Sequence, residues 1–497
     1  MELPTAISAI LACDPAAEAI EFEGRWTSWG ALDAQASRIG AALDDLGLGQ
    51  GTRIGVLLRN HVDLVPLLLE IFRSGRCLAS LNAVSPDQKL AADIEDAAAP
   101  VLVGLDADIE RPGILDAARA TGCAVIALGA EGPRLVDPRS HQRGLRPDAR
   151  GIAIEMLSSG TTGKPKRIPL LLRNLERALA GAAAYEKGRG GAEVPRLRSG
   201  VQIVTAQLAH IAGITGLMNN ILAGRKICLI ERFTVQAFHD AVKRHRPKVA
   251  GAPPAALRML LDANIPANDL SSLIAFRTGT APLDPELADA FYGRYGIPVL
   301  QNYGATEFAG GVAGWTIEDF RAHWAEKRGS VGRLNQGVEA AIVDPETGAT
   351  LGPGDNGLLK LRAPNIADGC SWVQTTDLAV LDADRFLWIK GRFDGAIIRG
   401  GFKILPEDVV KAIESHPAVR EAVVVGIPDR RLGEVPVAAW IAKAAAAPLS
   451  EDDLRGWLRE RLLPYQVPVQ LRQVGTLPRT SSMKVSLPAT RALFDAQ

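Results

Sequence analysis

Between Arg53 and Gln301 the hydrophobic period of the chain switches repeatedly, and this restricts the fold more than any other feature. Short apolar runs at Arg53–Leu58, Cys77–Leu81, Val101–Gly104, Val201–Thr205, Lys226–Ile230, Lys248–Ala250, Leu273–Thr278 and Ile297–Gln301 read as strands. Helical spacing fills the intervals: Asp63–Ser74 (amphipathic), Asp87–Asp96, Ile214–Leu222, Thr234–His245, Pro253–Leu261 and Asp284–Tyr295. Ahead of them, Ser28–Leu46 carries Leu32, Ala36, Ile39, Leu43 and Leu46 at helical spacing, with Gly47 and Gly49 as stops. Strands alternating with helices of about 10–15 residues predict βαβ units, hence an α/β fold of mostly parallel, doubly wound sheets.

Beyond about residue 330 the texture changes. Val331–Leu361 is glycine-rich, and its short alternating runs, Glu339–Val343 and Gly357–Leu361, suit a small β-barrel. From Gly391 the pattern is that of a compact α+β module. A hairpin (Ala396–Ile404), a helix (Pro406–Ser415), strands (Arg420–Gly426, Pro436–Ile441), a helix (Ser450–Leu462) and a last strand (Val469–Val474) follow in order. Ser450 and Asp453 stand at capping-box spacing. The expected organisation is a large N-terminal domain, 1–391, and a small mobile domain, 392–497, joined at Arg392–Gly395. The alanines at 444–447 read as a loop after a strand.

At 497 residues the chain has ample core for several domains. Lys+Arg and Asp+Glu both number 56, so no net field favours nucleic acid or an anionic membrane. The five cysteines are scattered without C-x-x-C spacing, which argues against a disulfide framework or zinc site and for a reducing compartment. Met1–Asp14 lacks the basic start of a secretory signal, and no apolar run approaches the roughly 20 residues a membrane span needs. The expectation is a cytoplasmic protein that is not an integral membrane protein.

Several strings carry chemistry. Leu157–Arg167 reads L-S-S-G-T-T-G-K-P-K-R, directly after the apolar run Ile152–Leu157 and before a helical Leu170–Tyr185. Ser158, Ser159, Thr161 and Thr162 offer neutral donors, Gly160 and Gly163 let backbone N–H groups approach, and Lys166 offsets negative charge. That combination suits a polyphosphate, although a mobile polar surface loop has the same composition. Pro165 excludes the common G-x-x-x-x-G-K-[ST] loop. Asn302-Tyr303-Gly304-Ala305-Thr306-Glu307 follows the strand Ile297–Gln301, where open α/β sheets bind ligands. Tyr303 there can stack on a base, Thr306 can donate to a phosphate oxygen and Glu307 can ligate Mg²⁺; a turn with a solvated glutamate is the plainer alternative. In Thr375-Thr376-Asp377 the carboxylate can accept from both hydroxyls of a ribose, or can serve merely as a turn or cap. Further strings are Gly391-Arg392-Phe393-Asp394 with Arg399-Gly400-Gly401-Phe402-Lys403-Ile404, the late Pro478-Arg479-Thr480-Ser481-Ser482-Met483-Lys484-Val485, Gln207–Gly213 around His210, and Arg277–Pro282.

In order and spacing these strings resemble the acyl-adenylate-forming (ANL) superfamily of acyl-CoA synthetases, adenylation domains and luciferases, and the resemblance runs from Ser28 to Phe494. It departs at Arg167, Thr376 and Met483, where the family usually has glycine. The resemblance implies that Ser158–Gly163 and Lys166 grip the β- and γ-phosphates of ATP. Asn302, Tyr303 and Gly304 would bind the nucleotide, with Thr306 and Glu307 catalytic and Glu307 the Mg²⁺ ligand. Asp377 and Arg392 would hold the ribose, and Asp394 would be the pivot of the small domain. Gly400 and Gly401 would line a tunnel for coenzyme A, and Lys484 would enter the site during adenylation. Gly279, Thr280 and Ala281 would form a wall beside adenine and acyl chain, and His210, Gly279, Gly304 and Ala305 the acid pocket. An acidic residue for a substrate ammonium is missing from the Gln207–Gly213 string, so the implied substrate is a non-amino acid, aryl or medium-chain aliphatic. The implied activity is that of an AMP-forming acid–thiol ligase (acyl-CoA synthetase), with a carrier-protein phosphopantetheine as the alternative acceptor. A catalytically degenerate nucleotide-binding protein is a second alternative, and family habit suggests a homodimer.

Overall fold

The structure, a computed structural model, describes residues 2–129, 131–138, 146, 148–157, 167–184, 195–393, 395–399, 402–429, 432–444, 448–480 and 483–494. They divide into two compact units. One runs to Val338 and takes in Arg362–Ser371; the other comprises Glu339–Leu361 and the described residues from Trp372 onward. No helix among the described residues is long and apolar enough to cross a membrane.

The first unit holds three sheets. The largest has seven strands in the order Gly132–Asp137, Ala124–Gly129, Val101–Leu105, Arg53–Leu58, Cys77–Asn82, Ile152–Leu157, Arg167–Leu171. Its middle strands pair in parallel and its two edge strands antiparallel. Arg53–Leu58 and Val101–Leu105 are buried along their whole length, as expected of parallel strands covered on both faces. The chain steps from Arg53–Leu58 to Cys77–Asn82 on one side, then crosses back to Val101–Leu105 on the other, which gives the doubly wound topology. A second sheet orders Val249–Gly251, Ala275–Thr278, Val299–Ala305, Gly310–Gly314 and Arg333–Leu334; a third orders Arg198–Val204, Arg225–Leu229, Glu18–Phe22 and Arg25–Ser28.

Two local expectations change here. Leu64–Arg73 is a helix, but Leu64–Phe72 is buried on every side rather than amphipathic. It packs against the helices Leu3–Leu11 and Trp29–Asp45 as well as against the sheet, so it has no solvent face. Arg167–Leu171, expected partly as helix, is a strand, and the helix is Leu172–Ala184. Pro169 is tolerated because this is an edge strand.

A buried ion pair ties the large sheet together. Arg53 donates from Nη2 to Glu155 Oε1 at 2.8 Å and from Nε to Oε2 at 3.0 Å. Burial pushes the Glu155 carboxyl upward, but the hydrogen bonds and charge of Arg53 outweigh it and leave the pKa below its ordinary 4.5. Burial, reinforced by the Glu155 charge, pushes the neighbouring Cys77 thiol up to about 12. A second buried carboxylate, Glu21, lies beside Cys228 and His245, the one His/Cys/acid triple among the described residues close enough to share a metal. Its Oε1 is paired with Arg244 and its Oε2 with His245, so the set closes on itself as an ion pair.

The second unit contains two sheets. The region expected as a small β-barrel is a four-stranded sheet in the order Glu339–Val343, Asn356–Arg362, Val373–Leu381, Leu387–Arg392. The other orders Phe402–Ile404, Ile397–Arg399, Gly433–Ala442 and Val419–Asp429, with Gln470–Gln473 parallel to Gly433–Ala442. The helices Pro406–Glu414 and Glu451–Arg459 cover one face and bury Val409, Ile413, Leu454 and Leu458 against Val424, Ala438 and Trp440. Ser450 Oγ accepts from the Asp453 N–H at 3.1 Å and donates to its carboxylate at 2.6 Å, a working cap.

Because the folded Glu155 pKa is depressed, its contribution is present above pH 4.5 and is lost as pH falls below it. Glu155→Gln leaves Arg53 buried without its partner charge and is expected to cost about 3 kcal/mol at pH 7. The deficit should narrow below about pH 4.5. Urea midpoints of both proteins at pH 7 and pH 4 check this.

Candidate active site

In the first unit, Ala275–Thr278 and Val299–Ala305 pair in parallel, with Thr278 opposite Gln301. Their carboxyl ends therefore deliver Gly279–Ala281 and Asn302–Ala305 side by side. The approach is close: a Cβ on Gly279 would overlap Asn302 Oδ1, so this position admits only glycine without a shift. Thr280, next in line, has φ +68, a left-handed conformation uncommon for a threonine. Thr278 Oγ1 donates to the Ala252 carbonyl at 2.8 Å and fixes the strand end from beneath.

The motif at 302–307 was expected in a loop past the strand. Instead the strand continues through Ala305, changing partners to pair antiparallel with Gly310–Gly314. Gly304 is required there, since a Cβ would overlap the Gly310 carbonyl. Thr306–Phe308 then forms a short 3₁₀ turn. Asn302 and Glu307 are exposed, while Tyr303, Ala305 and Thr306 are half-buried. Tyr303 rests edge-on against Phe308, with ring centroids 6.4 Å apart. The Thr306 hydroxyl and the Glu307 carboxylate are hard oxygen donors at an exposed strand end, a set that fits Mg²⁺ and phosphate.

His210 is the N-cap residue of the helix Ile211–Leu222 and is half-buried. Its loop is held by a residue that the motif reading missed. Asn60, 1% exposed, accepts from the Leu208 N–H at 2.8 Å and donates to the carbonyls of Ile230 and Ala206. An asparagine two residues past an apolar strand was the available signal.

Ser158, Ser159, Gly160, Thr161, Thr162, Gly163 and Lys166 lie outside the described residues, as do Asp394, Gly400 and Gly401. The flanks of 158–166 are described, and Leu157 pairs with Arg167 across the antiparallel ladder. Arg167 donates from Nε to Asp96 Oδ2 and from Nη2 to the Asp93 carbonyl, both at 2.8 Å, and its side chain is 8% exposed. This guanidinium is committed to the helix Asp87–Ala97.

In the second unit Asp377 stands opposite Arg392 across the strand pair Val373–Leu381 and Leu387–Arg392. Thr376, where the family pattern has glycine, accepts from Arg392 Nη2 at 2.7 Å through its hydroxyl. Its carbonyl accepts from the Phe393 N–H at 2.7 Å. Gly391 has φ +140 and would meet the Glu407 carboxylate if it carried a Cβ. Burial raises the Glu407 pKa above the usual carboxylate range. Lys484 is half-buried, and burial alone lowers its pKa.

Arg167→Gly is expected to cost about 1 kcal/mol of stability, and Asp96→Ala less, because the Asp93 carbonyl bond survives the second change. Thermal melts of the two variants check the order. Equal, unchanged melting temperatures would contradict the tether.

Residues 9–370 match the family described as AMP-binding enzyme, and residues 409–484 match the AMP-binding enzyme C-terminal domain. Rice 4-coumarate–CoA ligase 3 (Oryza sativa subsp. japonica) is 26% identical over 499 residues, spanning 95% of this chain and 88% of that protein. Rice 4-coumarate–CoA ligase-like 6 is 29% identical over 358 residues, 66% of this chain and 59% of the relative. ATP-bound MatB from Rhodopseudomonas palustris superposes with a TM-score of 0.84 at 25% identity, covering 100% of this chain and 99% of that one. The chain belongs to the AMP-binding enzymes, the acyl-adenylate-forming superfamily.

Proposed function

We propose that this enzyme is an ATP-dependent acyl-CoA ligase that activates a non-amino carboxylic acid, aryl or medium-chain aliphatic, in the cytoplasm. The observation that carries the reading is the junction at the carboxyl ends of Ala275–Thr278 and Val299–Ala305. There a side-chain-free wall at Gly279 closes on Asn302, and the chain runs on to an aromatic ring at 303 and a hydroxyl and a carboxylate at 306 and 307. Family membership and relatives named as CoA ligases support it.

In this reading Tyr303 stacks on adenine, and Asp377, with Arg392 held by Thr376, receives the ribose hydroxyls. Ser159, Thr161, Thr162 and Lys166 take the β- and γ-phosphates, with Ser158, Gly160 and Gly163 completing the loop. Thr306 donates to a phosphate oxygen. Glu307 holds Mg²⁺, which when bound offsets charge on the departing pyrophosphate. His210, Gly279, Gly304 and Ala305 bound the acid. Its carboxylate attacks the α-phosphorus, pyrophosphate leaves, and Lys484 stabilises the charge shared between the two groups as the bond forms. Residues 392–497 then turn about Asp394, withdrawing Lys484 and bringing Gly400 and Gly401 to the pantetheine arm. The coenzyme A thiol attacks the acyl carbonyl and AMP departs.

A panel of aryl and aliphatic acids, assayed with ATP with and without coenzyme A, tests the reading by pyrophosphate release and product mass. Acyl-CoA is expected only when coenzyme A is present. Pyrophosphate release with no thioester would favour a carrier-protein acceptor, and no release with any acid a degenerate site. Lys484 works as a cation and its pKa lies below its ordinary 10.5, so the adenylation rate should fall as pH rises, at a pH below that value. Lys484→Ala should lower adenylate formation about 100-fold or more while sparing thioester formation from supplied acyl-AMP. Equal loss of both half-reactions would contradict the division of roles.

A further inference from the structure

The turn that carries Lys484 is held by an ion pair that no motif reading identified. The strand Val419–Asp429 presents Glu421, Val423 and Val425 on one face. Val423 and Val425 pack with Leu477 and Phe494, so the segment after Leu477 lies over this face. Its described residues on either side of 481–482 run antiparallel. Arg479 pairs antiparallel with Val485, the Ser486 N–H donates to the Pro478 carbonyl at 2.8 Å, and the Thr480 N–H donates to the Lys484 carbonyl at 2.7 Å.

Met483 has φ +63, and its N–H donates to the Thr480 carbonyl at 2.9 Å. A methionine enters this left-handed region at a cost, so surrounding contacts must hold it there. Arg479 supplies one such contact. Its Nη1 donates to the Met483 carbonyl at 3.0 Å, and its Nη2 is paired with Glu421. The planar guanidinium thus links a strand to a single carbonyl. That carbonyl belongs to the peptide plane that reaches the Lys484 Cα, and the Thr480 N–H holds the plane that follows, so together the two bonds set the direction in which the Lys484 side chain leaves the backbone.

We infer that Arg479 and Glu421 are positioning residues for the adenylation half-reaction, aiming Lys484 through the Met483 carbonyl. The inference rests on the reading of Lys484 as the adenylating lysine. Both side chains of the pair are more than a quarter exposed, so the pair contributes little to stability. Its expected effect is on rate.

The test compares Glu421→Gln, Arg479→Lys and Lys484→Ala in the full chain, using acid-dependent ATP–pyrophosphate exchange and thioester formation from supplied acyl-AMP. Glu421→Gln should lower the exchange kcat about tenfold. The KM for ATP, the melting temperature and the thioester half-reaction should stay near wild type. Arg479→Lys, which keeps the charge but loses the two-armed link, should lower the exchange kcat at least as far. If Lys484→Ala abolishes exchange while both clamp variants keep it, the inference is overturned and the reading of Lys484 stands. If Lys484→Ala keeps full exchange, the reading fails and the inference with it. Equal losses in both half-reactions together with a lowered melting temperature would show a merely structural pair and overturn the inference.

Discussion

The parallel ladder between Ala275–Thr278 and Val299–Ala305 is the constraint on which the proposed site depends. Parallel pairing brings two carboxyl ends to the same edge, and the absent side chain at Gly279 lets Asn302 close against the neighbouring strand. The strand then continues through Ala305 into an antiparallel hairpin instead of dissolving into a loop. Tyr303 is therefore mounted on the ladder, and Thr306 and Glu307 on the short 3₁₀ turn that joins its two strands. Catalysis by positioning and charge requires such mounting, because a group that must first be ordered loses much of its advantage.

The three positions where the chain departs from the family's glycines share a physical pattern. Arg167 is bound to the helix Asp87–Ala97, Thr376 holds Arg392, and Met483 has its carbonyl secured by Arg479. At Arg167 and Thr376 the new side chain itself makes the hydrogen bond, whereas at Met483 the bond is to a backbone carbonyl and offsets the strain of a left-handed methionine. Glycine at these places would leave the backbone freer in the unfolded and folded chain alike. A site decaying for want of selection has no reason to acquire such partners, so the departures fit a working enzyme better than a degenerate one.

Much of this was legible in the chain itself. Strands such as Arg53–Leu58 and Val101–Leu105 stand out because burial on both faces demands an unbroken apolar run. The motif strings could be found because the chemistry restricts residue type at fixed spacing. What escaped depends on contacts that spacing does not encode. Arg167 meets Asp96 across 71 residues, and Asn60 meets Leu208 across 148. Glu18–Phe22, a local hairpin with Arg25–Ser28, joins its sheet through the distant Arg225–Leu229. Pro169 argues locally against a strand, yet an edge position admits it. The helix Leu64–Arg73, buried through Phe72, reads as amphipathic because periodicity records one partner and not three.

The central claim is that the acid's own oxygen attacks the α-phosphorus of ATP and that AMP leaves with it. An accepted acid labelled with ¹⁸O in both carboxylate oxygens tests this most directly, with the products of a complete turnover weighed by mass spectrometry. One labelled oxygen is expected in AMP, one in the thioester carbonyl and none in pyrophosphate. Label in orthophosphate alongside ADP, or AMP free of label, would contradict it.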